Sequence, residues 1–584
     1  MSNLFCCDCR LLLFLWIIGC IACGKPSSKE NTRPVQIRLA AEPDRLHPLL
    51  SRSSYSEQVH QHLFLSLLRV APDDLSLQPL LAAQRPQQQL NEAGQLEFRF
   101  RLHPDARWSD GQAVLAEDVL FTLKMIFHPE VPVGHYRAYL DFIEDVRLDE
   151  TDRRALTFVC RRPYILAEAA IGLLPIFPRK KLDPNDLLAD LSFAQWIEAE
   201  QTDRMIGQDS SLQALAEEFV RPRDAEEWGS FPLSGPYRLS EWAAGRFLRL
   251  EKRADWWAEG QQSAVRMAQP SEMVYRFVPD IQAAMNLLRT GDLDVLSDVP
   301  IADVKRWREA EAQSPPVQLH TPLKLSYYQI ALQNDHPILG DRNVRKALAH
   351  LLDLETAVEL LFGGAAERLV GPIHPSKEYC DRSLVPIPFD PEKARQLLAE
   401  SGWLDRDGDG LLDKKVGGRD QPLRLTYKVD PRNQIGVDIG LMLQQNARSI
   451  GCQIDIDSRA FNTLLQEYRR SDFELFYIAK GQLPFPDDLK QSWHSESLGS
   501  GGSNRIGFGN AELDAIIDGI RRQMDPILRK PLYIKAQKMI YEQQPCIFLF
   551  SPRERIAIHR RFNAKSSVLR PGYFPQEFSL AGKD

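Results

Sequence analysis

The stretch GQLEFRFRLHPDARWSDGQAVLAEDVLFTLKMIF, residues 94–127, runs through a strand, a turn and a helix in that order. Leu96, Phe98, Phe100 and Leu102 alternate with Glu97, Arg99 and Arg101, the period of two of a strand with one buried face. His103 and Pro104 stop the ladder, Trp108 supplies a large apolar anchor, and Asp110-Gly111 offers the positive-φ position of a tight turn. From Ala116 the period becomes helical. Val119, Leu120, Leu123 and Phe127 share a face, and Glu117 and Asp118 sit in the first turn, where the helix dipole favours negative charge. Leu115, at the cap position, has no oxygen to accept a backbone N–H, so this helix start is expected to be weaker by roughly 1 kcal/mol than a capped one.

The surrounding chain of 584 residues is 43% hydrophobic and 26% charged, a globular composition too long for a single core, so two or more domains are expected. A formal net charge of -7, with basic and acidic residues interspersed, lacks the clustered basic excess that general nucleic-acid binding needs. The N-terminus is different material. Leu11 to Ile18 is a short apolar run after Arg10, too short to span a bilayer and suited to a secretory signal peptide; an uncleaved anchor is the alternative. Residues 24–32 then read as a polar tether. The body keeps Cys160, Cys380, Cys452 and Cys546 without CxxC spacing; three disulfide pairings or buried free thiols are open.

Further stretches repeat the same kind of punctuation. Ser234-Gly235-Pro236-Tyr237 sets a turn into a strand, and Gly291 in Thr290-Gly291-Asp292-Leu293-Asp294-Val295 stops the helical run Ile281 to Leu288. Asp341 opens a helix whose Val344, Ala347, Leu348, Leu351 and Leu352 share a face. Asp390-Pro391 is a cap followed by Pro at the first helical position, and that helix ends at Gly402-Trp403.

Taken in order, these stretches resemble the family 5 extracellular solute-binding proteins, the oligopeptide- and dipeptide-binding receptors of ABC importers. Arg107 to Gly111 with Ala116 to Val119 is similar to the family's RxGxxWSDGxxxxAxDV, although His103-Pro104-Asp105 and Leu115 depart from it. The opening strand from Val35 to Ala41 leads into a turn with His47 where the family has Asp. Asn504-Arg505-Ile506-Gly507-Phe508 resembles N-x-x-G-Y, so the likeness extends from about Ile37 to about Phe550. Ile17-Ile18-Gly19-Cys20 resembles a lipobox, with Cys20 as the lipid-bearing residue and Cys23 as the competing site. The resemblance implies an α/β, periplasmic-binding-protein-like fold of the cluster C type, two lobes around a hinge plus an additional domain. The expected limits are 1–19 signal peptide, 20–34 tether, 35–64 with 190–320 and 551–584 lobe I, 65–189 additional domain II, and 322–550 lobe III.

It also implies where a ligand would sit, in a cleft between lobes I and III. Peptide-binding members place a carboxylate four residues before a Pro to pair with the peptide's α-ammonium. If Pro486 is the equivalent Pro, Gln482 replaces that carboxylate, and a neutral amide gives up a charge-assisted bond of about 1.5 to 3 kcal/mol. Asp487, or Asp488, could substitute in a shifted register, and Lys480 would suit an acidic ligand; solvated rim charge is the plain alternative. Tyr327, Tyr328, Arg432, Asn433, Trp493 and Asn504 lie in segments that resemble those lining the family's cleft.

Metal and catalytic templates fit poorly. Asp405, Asp407 and Asp409 with Gly410 begin like an EF-hand loop, but position 12 is Val416 rather than a bidentate Glu, which favours a polar loop over a structural calcium site. The chain has no G-x-S-x-G elbow, H-E-x-x-H, P-loop lysine motif or G-x-G-x-x-G after a strand, so no enzyme class and no cofactor is indicated. The expectation is a monomeric, exported, membrane-anchored lipoprotein that binds peptides or other small solutes and delivers them to ABC permease and ATPase subunits. The alternative is a cell-surface interaction or chaperone-like protein that kept the fold without transport.

Overall fold

A computed structural model describes residues 33–582 apart from 199–208, 262, 264, 310–314, 417 and 500–501. The segments expected to be a signal peptide and most of a tether, with both candidate lipidation cysteines, Cys20 and Cys23, lie outside the described residues. Three sheets organise the chain. The first has seven strands in the order Val317–His320, Ile556–His559, Val295–Leu296, Val35–Leu39, Glu272–Phe277, Phe247–Lys252 and Tyr237–Ala243. Val35–Leu39, at its centre, is parallel to both neighbours, and its inward Val35, Ile37 and Leu39 are each at most 1% exposed.

The second sheet has five strands, Gln453–Ser458, Arg424–Val429, Leu475–Gly481, Ser326–Leu332 and Cys546–Phe548. The third is a four-stranded antiparallel sheet of Gln87–Leu90, Leu96–Arg101, Ala155–Cys160 and Ile143–Leu148. Its core is continuous with that of the seven-stranded sheet, whereas the five-stranded sheet packs its helices around separate cores.

The chain crosses from the seven-stranded to the five-stranded sheet through residues 321–325 and returns through 553–555. These two crossings are paired. Lys324 N–H donates to Pro552 O (2.9 Å), Glu554 N–H to Pro322 O (2.8 Å), and the Lys324 ammonium lies 3.1 Å from the Glu554 carboxylate. Two adjacent backbone segments that carry the chain between two bodies are the positions at which a hinge can act, although here they are also tied laterally, by the Gln482 N–H to Leu325 O (2.8 Å), the Arg553 N–H to Ala365 O (2.9 Å) and the Val299 N–H to Arg555 O (3.0 Å).

The strand, turn and helix of residues 94–127 form as expected, with Trp108 buried, Gly111 at φ +86° and the helix at Ala116–Phe127. The weak cap at Leu115 is compensated from inside the helix. Asp118 Oδ2 accepts the Leu115 N–H (2.8 Å) and the Trp108 indole N–H (3.3 Å), and Oδ1 accepts the Arg179 N–H (2.9 Å). Asp118 is therefore a buried knot rather than a solvated dipole partner, and burial pushes its carboxyl up to about 6 despite those donors. Asp118→Ala strands three donors, one of them on the buried indole, and is expected to cost about 2–3 kcal/mol, read as a shift in the urea midpoint. Asp118→Asn, which keeps one acceptor, should lose less.

The later helices carry the caps read from sequence. Asp341 accepts the Asn343 N–H (2.9 Å), Asp390 accepts the Lys393 N–H (2.9 Å) ahead of Pro391, and Trp403 is buried after Gly402 at φ +83°. The four cysteines of the body are free thiols, three of them buried.

Candidate functional site

A cavity of about 680 Å³ opens between the four-stranded unit and the five-stranded unit, within the range of sites that enclose a small ligand. This differs from the expected position between lobes I and III. The reason lies in residues 162–166, whose Ile165 and Leu166 join the apolar core of the five-stranded unit. Ile165 N–H donates to Arg521 O (3.1 Å), the Tyr164 hydroxyl donates to Asp488 Oδ2 (3.2 Å), and Arg521 Nε donates to the same oxygen (3.0 Å). A smaller cavity of about 190 Å³ lies where the seven-stranded sheet meets the hinge, with Arg38, Glu57, Lys324 and Glu554 on its wall. Burial raises the Glu57 and Glu554 carboxyls above the ordinary range.

The floor of the larger cavity is set by two neighbouring strands. Tyr327 pairs with Lys480 in register, and side chains of a strand alternate between faces. Phe476, Ile478, Lys480 and Gln482 therefore share a face, with the first two in the same core as Tyr327. Tyr328 points the other way, stacking on Tyr477 and against Phe550.

Of the residues expected to line a cleft, Tyr327, Lys480, Gln482, Asp487 and Trp493 meet at this cavity. Tyr328 does not, because the period of two sends it to the opposite core. Arg432 is largely exposed and folds onto Asp430 (2.9 Å), while Asn433 caps the helix Gln434–Arg448 through the Gly436 N–H (3.1 Å). Asn504 is buried, donating to His494 O (3.2 Å) and Phe508 O (2.5 Å), and shapes its own loop. The Asp405, Asp407 and Asp409 oxygens come within 4.8 Å of one another but are exposed and engaged with backbone N–H groups of their own turn.

Asp487 reaches the cavity but its charge is already matched. It lies 3.6 Å from the Lys377 ammonium and accepts the Tyr379 hydroxyl (2.9 Å). Burial pushes the Asp487 carboxyl up and the Lys377 ammonium down, each opposed by the other's charge. Lys377 also donates to Leu483 O and Phe485 O (2.6 Å each), pinning the loop that carries Pro484 and Pro486. Gln482 differs: its Nε2 donates to Pro372 O (2.6 Å), and its Oε1 is buried without a partner among the described residues. An orphaned buried acceptor of this kind costs about 1–3 kcal/mol unless something donates to it.

Tyr139, Tyr164, Lys377 and Arg521 were not singled out from the sequence. Each comes from a segment remote in the chain and without a local motif, so only the tertiary arrangement reveals them.

Residues 76–501 match the description of the bacterial extracellular solute-binding proteins, family 5. The chain belongs to this family. Among curated relatives of this family 5 chain, the oligopeptide-binding protein AppA of Bacillus subtilis is 28% identical over 329 residues, 56% of this chain and 57% of AppA. The match thus spans little more than half of that relative. Protein XP55 of Streptomyces lividans is 24% identical, with 91% of this chain and 87% of XP55 covered. The solved structure of AppA in complex with a nonapeptide superposes with a TM-score of 0.65 at 22% identity, covering 94% of this chain and all of AppA. Architecture and family agree on a periplasmic-binding-protein-like α/β fold with two lobes and an extra domain. As a family 5 protein the chain is a solute-binding receptor and not an enzyme. No helix among the described residues is long and apolar enough to cross a membrane.

Proposed function

We propose that this chain is the lipid-anchored capture subunit of an ABC importer for peptides or peptide-like solutes, held at the membrane through Cys20 (or Cys23) and working as a monomer with permease and ATPase partners. The observation that carries the reading is the 680 Å³ cavity with the buried, partnerless Gln482 Oε1 on its wall. Such an acceptor calls for an N–H donor, and peptides bring one at every residue. The relatives include an oligopeptide-binding and a di/tripeptide-binding protein, which supports the same class.

The domain limits given above belong to this proposal, with the ligand held between domain II and lobe III. Ligand that binds the closed arrangement better than the open one shifts the population toward closure, and the paired crossings at 321–325 and 553–555 are where the pivot would act. No bond in the ligand is made or broken.

Native mass spectrometry of the protein purified from its host tests this. Co-purified peptides are expected. A cavity that is always empty, with no thermal shift across a peptide panel, would overturn the reading in favour of a surface interaction role. For the anchor, Cys20→Ala is expected to move the protein from the membrane to the soluble fraction; retention at the membrane would transfer the attachment to Cys23.

A further inference from the structure

The charges around the cavity do not cancel in the way an indifferent peptide site would allow. Each carboxylate on its wall is already matched. Asp487 is held by Lys377 and Tyr379, Asp488 by Arg521 and Tyr164, Asp518 by Arg522 (3.5 Å), and Asp141 by Arg162 (4.0 Å). On the cationic side Lys490 is paired with Glu496 (2.6 Å). Lys480 is left over. Its ammonium donates to the Tyr468 hydroxyl (3.1 Å) and lies over that ring, and among the described residues no carboxylate comes within ion-pair distance of it.

Two residues on, one past the end of the strand Leu475–Gly481 and held in line with it by its N–H to Leu325 O (2.8 Å), sits the acceptor of Gln482 that lacks a donor. Residues i and i+2 of a strand are roughly 6.6 Å apart. The wall thus offers an unmatched positive charge and an unmatched carbonyl oxygen side by side, while the two buried carboxylates, Asp487 and Asp488, are held by their own partners and only the exposed Asp141 and Asp518 at the rim carry loose pairs.

Resting on the peptide reading above, we propose that the cavity selects anionic peptide-like solutes. Their carboxylate meets Lys480, and a neighbouring amide N–H donates to Gln482 Oε1. A carboxylate outcompetes the Tyr468 hydroxyl for the ammonium because a charge-assisted bond is stronger than one to a neutral oxygen. A cationic ligand would place like charge against Lys480 and find no buried acid free to answer it.

The test is isothermal titration of the full-length protein with three N-acetylated, C-amidated probes, Ala-Glu-Ala, Ala-Gln-Ala and Ala-Lys-Ala, so that the central side chain carries the only charge. The Glu peptide is expected to bind at least tenfold more tightly than the Gln peptide, with the Lys peptide weakest, and the margin should shrink as salt is raised. Lys480→Met should bring the Glu and Gln peptides within twofold of each other, and Lys480→Arg should restore the preference. Gln482→Leu should weaken both peptides by a similar factor. Equal binding of the Glu and Gln peptides, or a preference that survives Lys480→Met, would overturn the charge assignment while leaving the peptide reading standing. Binding of none of the three overturns both.

Discussion

Asp294→Ala is expected to destabilise the folded chain by about 3–5 kcal/mol, the usual consequence of removing one partner from a buried ionic cluster. The Asp294 side chain is fully buried. It accepts from Arg561 Nε (2.9 Å) and Nη2 (2.7 Å), from Arg33 Nη2 (2.8 Å), and from the backbone N–H of Gln36 (2.8 Å). Its own backbone links the central strand Val35–Leu39 to Ile556–His559 through Gln36 O and the His559 N–H. One carboxylate thus joins the start, the middle and the end of the described chain within the seven-stranded sheet.

Without it the mostly buried Arg561 guanidinium keeps the Arg33 and Pro34 carbonyls and the face of the Phe562 ring (4.2 Å) but no counter-charge among the described residues, and the Gln36 N–H loses its acceptor. Asp294→Asn, which preserves one acceptor but no charge, should fall between wild type and Ala. Arg33→Ala, at the exposed end of the cluster, should cost less than about 1 kcal/mol. Calorimetry of the three variants checks the order; an Asp294→Ala protein as stable as wild type would remove the cluster's role.

The second large effect is acid destabilisation. His47, His62, His128 and His374 are all buried, and burial depresses them from 6.5 to about 3, 3, 4 and 4. Their folded pKa values are lowered, so the stability they contribute is fully present above pH 6.5 and is lost as pH falls toward 4 and below, where the unfolded chain takes up protons that the folded chain refuses. Asp118, raised to about 6, works in the opposite sense between pH 6 and 3.8. For these five groups alone the net is about three protons, or on the order of 4 kcal/mol per pH unit near pH 5; His60, also depressed to about 4, adds to it, and the raised Glu57, Asp487, Glu554 and Glu577 carboxyls oppose it.

The melting temperature should therefore drop steeply between pH 6.5 and 4, and His374→Gln should flatten that slope. His374 is the clearest case: its Nε2 faces the Lys324 carbonyl (2.8 Å), which can only accept, so Nδ1 must accept from the Ser376 N–H (3.1 Å). A proton on Nδ1 leaves the Ser376 N–H without its acceptor and turns Nδ1 into a donor toward the Ser376 hydroxyl (2.7 Å) in a buried site. A melting temperature flat across this range would refute the burial argument.

The sequence carried the local structure well because its signals are local. Period-two alternation at 96–102, the Asp390-Pro391 cap and the Gly402-Trp403 stop each depend on a few neighbouring residues, and each appears where the spacing places it. Motif residues were legible as motifs but not as roles. Asp118 read as a dipole partner and is a buried acceptor; Arg345, in the helix that Asp341 opens, is buried and donates to Leu339, Gly340, Gln543 and Gln544 carbonyls, tying that helix to the end of Pro526–Gln543.

The candidate site was only half legible. Lys480 and Gln482 lie two apart in the sequence, at and just past the end of one strand, and could be read together, but that the buried Asp487 and Asp488 beside them are engaged depends on Lys377, Arg521 and Tyr164, more than a hundred residues away in the case of Lys377 and over three hundred for Tyr164. Tyr328 and Asn433 were misplaced for a related reason. Resemblance locates a segment, whereas the face a side chain takes is fixed by strand parity or by a helix cap.

The adjacency of the two crossings makes the five-stranded unit an insert in the seven-stranded one, entering and leaving at points one hydrogen-bond length apart, joined by the Glu554 N–H to Pro322 O and the Lys324 N–H to Pro552 O. A body attached this way is a cassette. It can be excised and replaced by a counterpart from another receptor while the stumps it leaves remain side by side, so new cargo preferences can be acquired by exchange of one continuous gene segment without redesigning the rest of the molecule.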